Sequence, residues 1–273
     1  MDIVRNDGFI IIKDFGSFDL GLSADCGQAF RWKQDENGLW HGIVSGKYLK
    51  AKQTNDEVIF YTSAEDFDTL WKSYFDIETD YAAICKKLSA DESLSKAVAC
   101  CPGIHILKQE PWEALCSFII SQNNNIPRIK GIIERLCETF GSEIEGGFTF
   151  PDAETIAKLE TEDLAPLRAG FRAKYIIDAA RKVSSGEVDF EKIKNSPIEF
   201  GREELQKICG VGAKVAECTL LYGFYKVDAF PIDVWVKRIM AEMYPDGFPE
   251  CADGVKGIAQ QYLFHWRRTY FDK

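Results

Sequence analysis

The 273-residue sequence has few histidines and no pair of cysteines at the spacing that metal sites usually use. Its three histidines lie far apart, at positions 41, 105 and 265, and none of its nine cysteines forms a Cys-x-x-Cys pair. Zinc and iron–sulfur sites are typically built from such closely spaced ligands. The sequence therefore predicts no metal and no cofactor.

Long apolar runs and targeting signals are also missing from the sequence. No segment approaches the ~20 consecutive apolar residues that a membrane-spanning helix requires. The first seven residues have neither a basic and apolar secretory pattern nor an Arg- and Ser-rich transit pattern. We therefore expect an intracellular protein without a membrane partner, cytoplasmic or nucleoid-associated if the source is prokaryotic.

An excess of basic residues, the usual mark of a nucleic-acid-binding protein, is absent as well. The formal net charge is −10, from 33 basic and 43 acidic residues, which weighs mildly against nucleic acid as a partner. The charge is uneven, however, since residues 56–92 carry 10 acids and 3 bases whereas residues 165–182 carry 5 bases and 1 acid. Because the local field matters more than the total, composition leaves this question open.

The first 62 residues show the alternation and turns of an antiparallel sheet. Asn37 and Gly38 form a strong hairpin signal because both tolerate a positive φ, and the flanking strands are predicted at 30–32 and 39–44. Further strands are predicted at 47–53, after the turn at Ser45-Gly46, and at 58–61, after Asn55-Asp56. These residues predict a sheet in the N-terminal part of the chain.

Helical spacing replaces this alternation after Ser63, which is predicted to cap the first helix. Apolar stripes over residues 112–120 and 129–140 indicate two helices that are separated by a polar segment. The economical interpretation is an α+β protein. It has an antiparallel β-sheet N-terminal domain with helices at residues 1–105, followed by a mainly α-helical domain at residues 106–273.

The most informative local feature is a glycine-containing hairpin between two helices, predicted over residues 202–225. A short helix around 202–208 is followed by Gly210 and Gly212, and a second helix starts near Ala213. Backbone N–H groups at the start of that second helix can bind a phosphate without side-chain charge, so an acidic protein can still hold DNA. An isolated Gly-x-Gly is also typical of a simple turn between packed helices.

Lys214 and Asp233 are the candidates for chemistry. Lys214 lies just inside the second helix, where the helix dipole disfavours a charged amine and so favours a nucleophilic one. Asp233 is predicted to cap the next helix, and a carboxylate near an amine would also stabilise positive charge that develops on a sugar. A carboxylate beside Lys214 would favour the charged form of the amine and so oppose the effect of the helix dipole. The sequence does not decide which of these two effects on the amine is larger. A solvated lysine and a simple helix cap are the structural alternatives.

Four motifs follow one another along the chain. They are Cys-Gly-Gln-Ala-Phe-Arg-Trp at 26–32, Ser-Gln-Asn-Asn-Asn-Ile-Pro-Arg-Ile at 121–129, Gly-Val-Gly-Ala-Lys-Val-Ala-Glu-Cys at 210–218 with Pro-Ile-Asp-Val at 231–234, and Ala-Gln-x-x-Leu-Phe at 259–264. Together they resemble the 8-oxoguanine DNA glycosylase/AP lyase branch of the helix–hairpin–helix DNA glycosylase superfamily. The likeness spans nearly the whole chain. It implies a bifunctional DNA repair enzyme that flips 8-oxoguanine out of double-stranded DNA, preferably opposite cytosine, and excises it.

The resemblance also implies roles for the residues of the reaction centre and the base pocket. Lys214 attacks the sugar C1′ and forms a Schiff base that permits β-elimination, while Asp233 stabilises the oxocarbenium-like state. Gln260 reads the Watson–Crick edge of the base, and the Gly27 carbonyl accepts from the N7–H that only oxidised guanine carries. Phe264 and Cys218 stack on the two faces of the base. From spacing alone, Phe264 is equally typical of a core residue. The base-binding residues implied are Gly27, Cys218, Gln260 and Phe264.

A further group of residues is implied to bind the DNA around the lesion. Asn123 fills the gap left by the flipped base, and Arg128 and Arg172 hydrogen-bond the orphaned cytosine. Helix capping by the asparagines and a phosphate contact by Arg128 are the alternatives. Phe171 stands where vertebrate-type relatives have Tyr, and Trp235 where they have His, so contacts made by those side chains are in doubt. The residues implied to bind DNA are Asn123, Arg128, Phe171, Arg172, Gly210 and Gly212.

Two other classes of function share some of these features. A non-catalytic helix–hairpin–helix protein that binds damaged DNA would keep the hairpin, but the combination of Lys214 and Asp233 argues against it. A glycosylase for another damaged base is the second alternative. Endonuclease III-like and adenine-specific relatives usually carry a four-cysteine iron–sulfur loop, whereas only Cys251 follows Cys218 here, and an alkylbase glycosylase would lack the lysine. The enzyme is expected to act as a monomer.

Overall fold

The computed structural model describes residues 2–270, and its N-terminal part is built on one antiparallel sheet. The strands are β1 (Asp2–Asn6), β2 (Phe9–Lys13), β3 (Lys33–Gln34), β4 (Trp40–Val44), β5 (Lys47–Gln53) and β6 (Glu57–Tyr61). Their order in the sheet is β1-β2-β6-β5-β4-β3. Together with the helical remainder of the chain, this sheet confirms the predicted α+β class. A separate small hairpin consists of β7 (Glu143–Ile144) and β8 (Gly147–Phe148).

The predicted hairpin at Asn37-Gly38 connects β3 to β4. Gly38 has a φ of +77°, whereas Asn37 does not enter the positive-φ region. The turn is held instead by Asp35, whose Oδ1 accepts from the backbone N–H groups of Asn37 and Leu39, at 2.9 Å each. The aspartate therefore takes over the role that a second positive-φ residue was expected to play.

The strand expected at residues 30–32 is wrong, since the paired residues are Lys33 and Gln34. Phe30 is buried in the helical core and Trp32 in the core beneath the sheet. Trp32 donates through Nε1 to the Tyr74 hydroxyl at 2.8 Å. This segment crosses between two cores, so its backbone does not join the sheet.

Helices and helical turns make up most of the chain after Ser63, whose Oγ accepts from the Asp66 N–H at 3.0 Å and confirms the predicted cap. A helix before Ser63, at Leu20–Asp25, was not predicted. A π-helical turn at Phe67–Trp71 interrupts the first predicted helix. Short 3₁₀ turns lie at Thr161–Leu167 and Glu250–Ala252. The α-helices are α1 (Leu20–Asp25), α2 (Ala64–Asp66), α3 (Lys72–Tyr74), α4 (Tyr81–Leu88), α5 (Glu92–Cys100), α6 (Pro111–Ser121), α7 (Ile126–Phe140), α8 (Ala153–Ala157), α9 (Arg172–Ser184), α10 (Phe190–Asn195), α11 (Ile198–Leu205), α12 (Ala213–Tyr222), α13 (Val234–Met243) and α14 (Lys256–Tyr270).

The glycine-containing hairpin lies between α11 and α12, but its first helix was placed too late in the sequence. It runs from Ile198 to Leu205 and not over 202–208. Pro197 stands at the N-cap position, where a residue without an N–H is tolerated, and so sets the earlier start. Residues 206–209 form turns that lead into the glycines.

Two hydrophobic cores hold the molecule together. One lies between the sheet and the helical segment around Trp71, and the other joins the apolar faces of the later helices. Helices α4 and α5 precede residue 106, yet they contribute Leu88 and Leu94 to the helical core. The boundary predicted between residues 105 and 106 stays a prediction.

Some features are absent from residues 2–270. No helix in this range is long and apolar enough to cross a membrane. The same part of the chain contains no group of three or more His, Cys, Asp or Glu side chains arranged to hold a metal ion. Cys116 and Cys137 are buried and form no disulfide within this range.

Candidate active site

One cavity of about 780 Å³ collects residues from distant parts of the chain. The start of α12, the start of α13, the loop between α6 and α7, and the last helix α14 meet there. Lys214 and Asp233 both line it, so the two candidates for chemistry open into the same cavity. The predicted site residues that line the cavity are Gly27, Asn123, Phe171, Gly212, Lys214, Asp233 and Phe264.

Lys214 stands in the first turn of α12 and is held by neighbours from α6. Its Nζ donates to Ser121 Oγ at 3.0 Å and lies 5.2 Å from the centroid of the Phe118 ring. These contacts fix the amine at the cavity wall while leaving it partly accessible. A half-exposed, oriented amine is the geometry that a lysine nucleophile needs.

Cys218 lies one helical turn beyond Lys214 and is buried. Burial raises the pKa of its thiol to about 11, while the nearby Lys214 amine acts in the opposite direction. Because the group therefore stays a neutral thiol near pH 7, it does not compete with Lys214 as a nucleophile. A neutral, polarizable sulfur suits contact with a flat ring.

Asp233 caps α13, as predicted. Its Oδ1 accepts from the backbone N–H groups of Trp235 at 2.9 Å and Val236 at 2.8 Å. Both bonds use the same oxygen, and Oδ2 has no hydrogen-bond partner within residues 2–270. The cap thus orients the carboxylate without occupying all of it.

A buried glutamate connects the segment that carries Asp233 to the helix that carries Lys214. Glu217, on α12, accepts from the backbone N–H of Phe230 at 2.6 Å and pairs with Arg202 of α11. Phe230 lies three residues before Asp233, and Glu217 lies three residues after Lys214. The relative position of the amine and the carboxylate is therefore set by one charged hydrogen-bond network.

The glycine hairpin is anchored to α9. Asp178 Oδ2 accepts from the Cys209 N–H at 2.6 Å, and Gly210 lies against the ring of Tyr175. Gly210 has a φ of +77°, and a Cβ there would approach that ring to 2.5 Å. Gly212, the N-cap residue of α12, has an extended φ of −94°, and a Cβ there would meet nothing within 4 Å. Gly210 thus has a structural reason to be glycine, whereas Gly212 leaves the helix N-terminus open to an approaching partner.

The loop between α6 and α7 is held from beneath by Arg172. This buried side chain donates from Nε and Nη2 to the Gln122 carbonyl, from Nη2 to the Asn123 carbonyl at 2.9 Å, and from Nη1 to the Ala169 carbonyl at 3.1 Å. These bonds use four of its five N–H donors, so one remains for another acceptor. Burial and the nearby charge of Arg128 lower the pKa of Arg172.

The loop presents outward the residues that were expected to meet DNA. Asn123 is exposed and has a φ of +47°, and Arg128 is exposed on the first turns of α7. Asn125 caps α7 by accepting from the Arg128 N–H at 3.0 Å, which confirms the capping alternative for this asparagine. Phe171 is 49% exposed and lies under the Arg172 guanidinium, with 4.4 Å between Cζ and the ring centroid.

Of the predicted base-binding residues, Gly27 and Phe264 lie close together at the cavity, whereas Cys218 and Gln260 are buried and do not line it. This glycine has a φ of +92°, and a Cβ there would lie 3.5 Å from Phe264 and 3.7 Å from Ile126. Gln260, one turn before Phe264 on α14, is 5% exposed, and its Oε1 has no hydrogen-bond partner in the described part of the chain. A buried amide without a partner is unfavourable unless a ligand supplies one.

Several residues of the cavity were not assigned a role from the sequence. Ser121, which accepts from Lys214, is the first residue of the motif at 121–129, and Phe118 lies one turn earlier on α6. Arg268 follows Phe264 by four residues, and this spacing, which places both side chains on one side of a helix, could have identified Arg268 from the sequence. Trp235 also lines the wall, beside Asp233.

Two family models cover most of the chain. The model of the 8-oxoguanine DNA glycosylase N-terminal domain matches residues 10–115, and the model of HhH-GPD superfamily base excision DNA repair proteins matches residues 116–247. The first contains Gly27, and the second contains the hairpin, Lys214 and Asp233.

Individual proteins of known kind are similar over most of their length. The N-glycosylase/DNA lyase of Saccharomyces cerevisiae is 33% identical over 84% of this chain and 71% of its own. A probable N-glycosylase/DNA lyase of Methanothermobacter thermautotrophicus is 30% identical over 84% of both chains. The structure of the Clostridium acetobutylicum 8-oxoguanine glycosylase/lyase, in complex with double-stranded DNA containing cytosine opposite 8-oxoguanine, is 37% identical with a TM-score of 0.92 and 98% of both chains covered.

Proposed function

Because the chain belongs to the 8-oxoguanine DNA glycosylase family, within the HhH-GPD superfamily of base excision repair proteins, we propose that it excises 8-oxoguanine from double-stranded DNA and cleaves the strand at the resulting abasic site. The observation that carries this proposal is that Lys214 and Asp233 line the same cavity. A non-catalytic DNA-binding protein has no need of such a pair, and that alternative is not favoured.

In the proposed reaction Lys214 is the nucleophile and Asp233 stabilises the charge that develops on the sugar. The base must leave the helix stack before either group can reach its sugar. The neutral amine of Lys214 then attacks C1′, and the C1′–N9 bond breaks with its electron pair leaving on the base. Opening of the sugar ring gives a Schiff base between Nζ and C1′, and loss of a C2′ proton expels the 3′ phosphate by β-elimination. Asp233 stabilises the positive charge on the sugar.

Recognition of the base rests on residues around Gly27. The free Oε1 of Gln260 accepts from the Watson–Crick edge, while Phe264 and Cys218 enclose the ring. The Gly27 carbonyl accepts from N7–H and repels the lone pair that unmodified guanine has at that atom. Gln260 and Gly27 supply the polar contacts to the base. This assignment is supported by Gln260 Oε1, which is buried and has no hydrogen-bond partner among the described residues.

Recognition of the duplex rests on the loop between α6 and α7, on Phe171 and on the hairpin. Asn123 occupies the space of the flipped base, and Arg128, with the one free donor of Arg172, binds the unpaired cytosine. Gly212 allows the N–H groups at the start of α12 to reach a DNA phosphate. This arrangement explains how a chain with a net charge of −10 binds DNA.

The enzyme acts as a monomer inside the cell in this proposal. Duplex DNA as substrate agrees with the intracellular placement expected from the sequence. Light scattering of the purified protein with and without duplex tests the first point.

Borohydride trapping tests the chemistry. A labelled duplex with 8-oxoguanine opposite cytosine is incubated with protein and borohydride, which reduces a Schiff base to a stable amine. We expect a covalent complex with the wild type and none with Lys214→Gln, because an amide cannot form the Schiff base. Lys214→Gln should still bind the damaged duplex, since its side chain is close in size.

The control is Lys96→Gln, which removes an exposed lysine of α5 outside the cavity and should trap like the wild type. Absence of any trapped species with folded wild-type protein would contradict the lyase assignment. Cleavage by Lys214→Gln at a near wild-type rate would assign the nucleophile elsewhere. Repeating the assay with adenine, guanine and thymine opposite the lesion measures the preference for cytosine.

A further inference from the structure

Arg268 is a charged residue of the cavity to which the proposed reaction assigns no role. It lies on α14, four residues after Phe264 and eight after Gln260, so the three side chains share one side of the helix. Like Phe264, it lines the cavity that contains Lys214 and Asp233.

The guanidinium of Arg268 lies at the edge of the proposed base pocket. Its Cζ is 5.4 Å from the centroid of the Phe264 ring, a cation–π contact. Its Nη1 would lie 3.3 Å from a Cβ built on Gly27, so the cation sits directly above the backbone of that glycine. The ring therefore fixes the direction of the guanidinium toward the part of the pocket that Gly27 forms.

Arg268 makes no hydrogen bond and no ion pair within residues 2–270, although it is partly buried. The adjacent arginine behaves differently, because Arg267 Nη2 pairs with Glu242 at 2.9 Å. Lys130, another cation near the Gly27 segment, pairs with Asp25 at 2.8 Å. A partly desolvated guanidinium that finds no acceptor among residues 2–270 is unfavourable, and an oxygen-rich ligand would relieve it.

We propose that Arg268 binds an oxygen of the everted nucleotide and is a substrate-binding residue of this enzyme. The inference rests on the proposed function. Two oxygens of that nucleotide fit a guanidinium at this place. One is a carbonyl oxygen beside N7 on the base edge that faces Gly27, and the other belongs to a flanking phosphate. Either oxygen can accept hydrogen bonds from the paired N–H donors of the Arg268 guanidinium.

The test compares two duplexes, one with 8-oxoguanine and one with an abasic site, each opposite cytosine. Arg268→Gln should lower single-turnover cleavage of the 8-oxoguanine duplex about tenfold to a hundredfold, the usual effect of losing a charge-assisted hydrogen bond. Arg268→Lys should lower the cleavage rate less than Arg268→Gln does, because lysine keeps the positive charge but lacks the paired N–H donors of the guanidinium. If the base supplies the oxygen, the abasic duplex is cleaved at the wild-type rate; if a phosphate does, both duplexes are cleaved more slowly.

A salt titration separates the two sources independently. A lost phosphate contact lowers the slope of log affinity against log salt by about 1, whereas a lost base contact leaves the slope unchanged. Binding is measured in the Lys214→Gln background so that no cleavage occurs.

The control variant is Arg267→Gln, which removes one positive charge from the same turn but outside the cavity. An equal loss in Arg267→Gln and Arg268→Gln would overturn the proposal, because net charge alone would then explain the effect. Wild-type rates for Arg268→Gln on both duplexes would overturn it as well. If the wild type itself cleaves neither duplex, the proposed function fails. That outcome is distinct from the two results that would overturn the role of Arg268 alone.

Discussion

The two glycines of the hairpin should respond in opposite ways to the addition of one methyl group. Gly210→Ala is expected to destabilise the fold, whereas Gly212→Ala should leave the fold intact and weaken DNA binding. The residues stand two positions apart in the same turn, so each variant serves as the control for the other.

The magnitude for Gly210→Ala follows from two separate penalties. An L-residue at a φ of +77° is disfavoured by about 1–2 kcal/mol. A Cβ at 2.5 Å from the Tyr175 ring also forces the ring or the turn to move, which typically adds about 1–3 kcal/mol. The free energy of unfolding should therefore fall by about 2–5 kcal/mol, a large part of the ~5–15 kcal/mol of a typical domain.

Gly212→Ala has neither penalty, because its φ is −94° and no atom lies within 4 Å of the added Cβ. We expect its free energy of unfolding to change by less than about 0.5 kcal/mol. The methyl group would project where a phosphate approaches the start of α12, so affinity for duplex DNA should fall.

Urea unfolding and DNA-binding anisotropy measure the two effects separately. A double variant, Gly210→Ala with Tyr175→Ala, should recover the steric part of the loss and leave only the backbone part. Equal stability of Gly210→Ala and the wild type would refute the reasoning from φ and the Tyr175 contact. Wild-type DNA affinity of Gly212→Ala would refute the placement of a phosphate at this helix end.

Two further predictions concern the arginines and the thiols. Arg128→Ala should flatten the preference for cytosine in the excision assay without changing stability, and an unchanged opposite-base profile would remove its role. Arg172→Ala should also lower the free energy of unfolding by about 2–4 kcal/mol, because it removes a buried side chain whose hydrogen bonds hold the carbonyls of Gln122, Asn123 and Ala169. Cys218, whose thiol pKa is raised to about 11 by burial, should resist iodoacetamide at pH 8, because a raised pKa keeps it protonated below that value. The exposed Cys100 and Cys209 should be modified first, as peptide mass spectrometry would register, and early labelling of Cys218 would contradict its burial.

The hairpin at Asn37-Gly38 and the cap at Ser63 could be predicted because both depend on local sequence. A cap needs only one side chain and the next turn of backbone, and a tight turn needs only a few residues. The strand predicted at 30–32 was wrong because Phe30 and Trp32 pack in two different cores, and that competition is invisible in a local pattern. The start of α11 was misplaced for a simpler reason, since the signal of Pro197 was not used.

The role of Arg172 shows how tertiary contacts change the meaning of a residue. From the resemblance it was expected to bind the orphaned cytosine, but in this structure most of its donors hold the backbone of the loop that carries Asn123. The binding role stays a prediction, with one N–H left for it. Arg268 was assigned no role from the sequence, and only the folded structure shows it beside Gly27.

The sequence by itself determined the class of fold and the family, because ordered motifs and hydrophobic periodicity are properties of neighbouring residues. It also identified Lys214 and Asp233 as a pair of interest. Only the tertiary structure brought them to one cavity, since their 19-residue separation is bridged through Glu217 and Phe230, a contact that no local spacing encodes. Unpaired groups such as Gln260 Oε1 also emerge only after folding, because whether a polar atom finds a partner depends on every element packed around it.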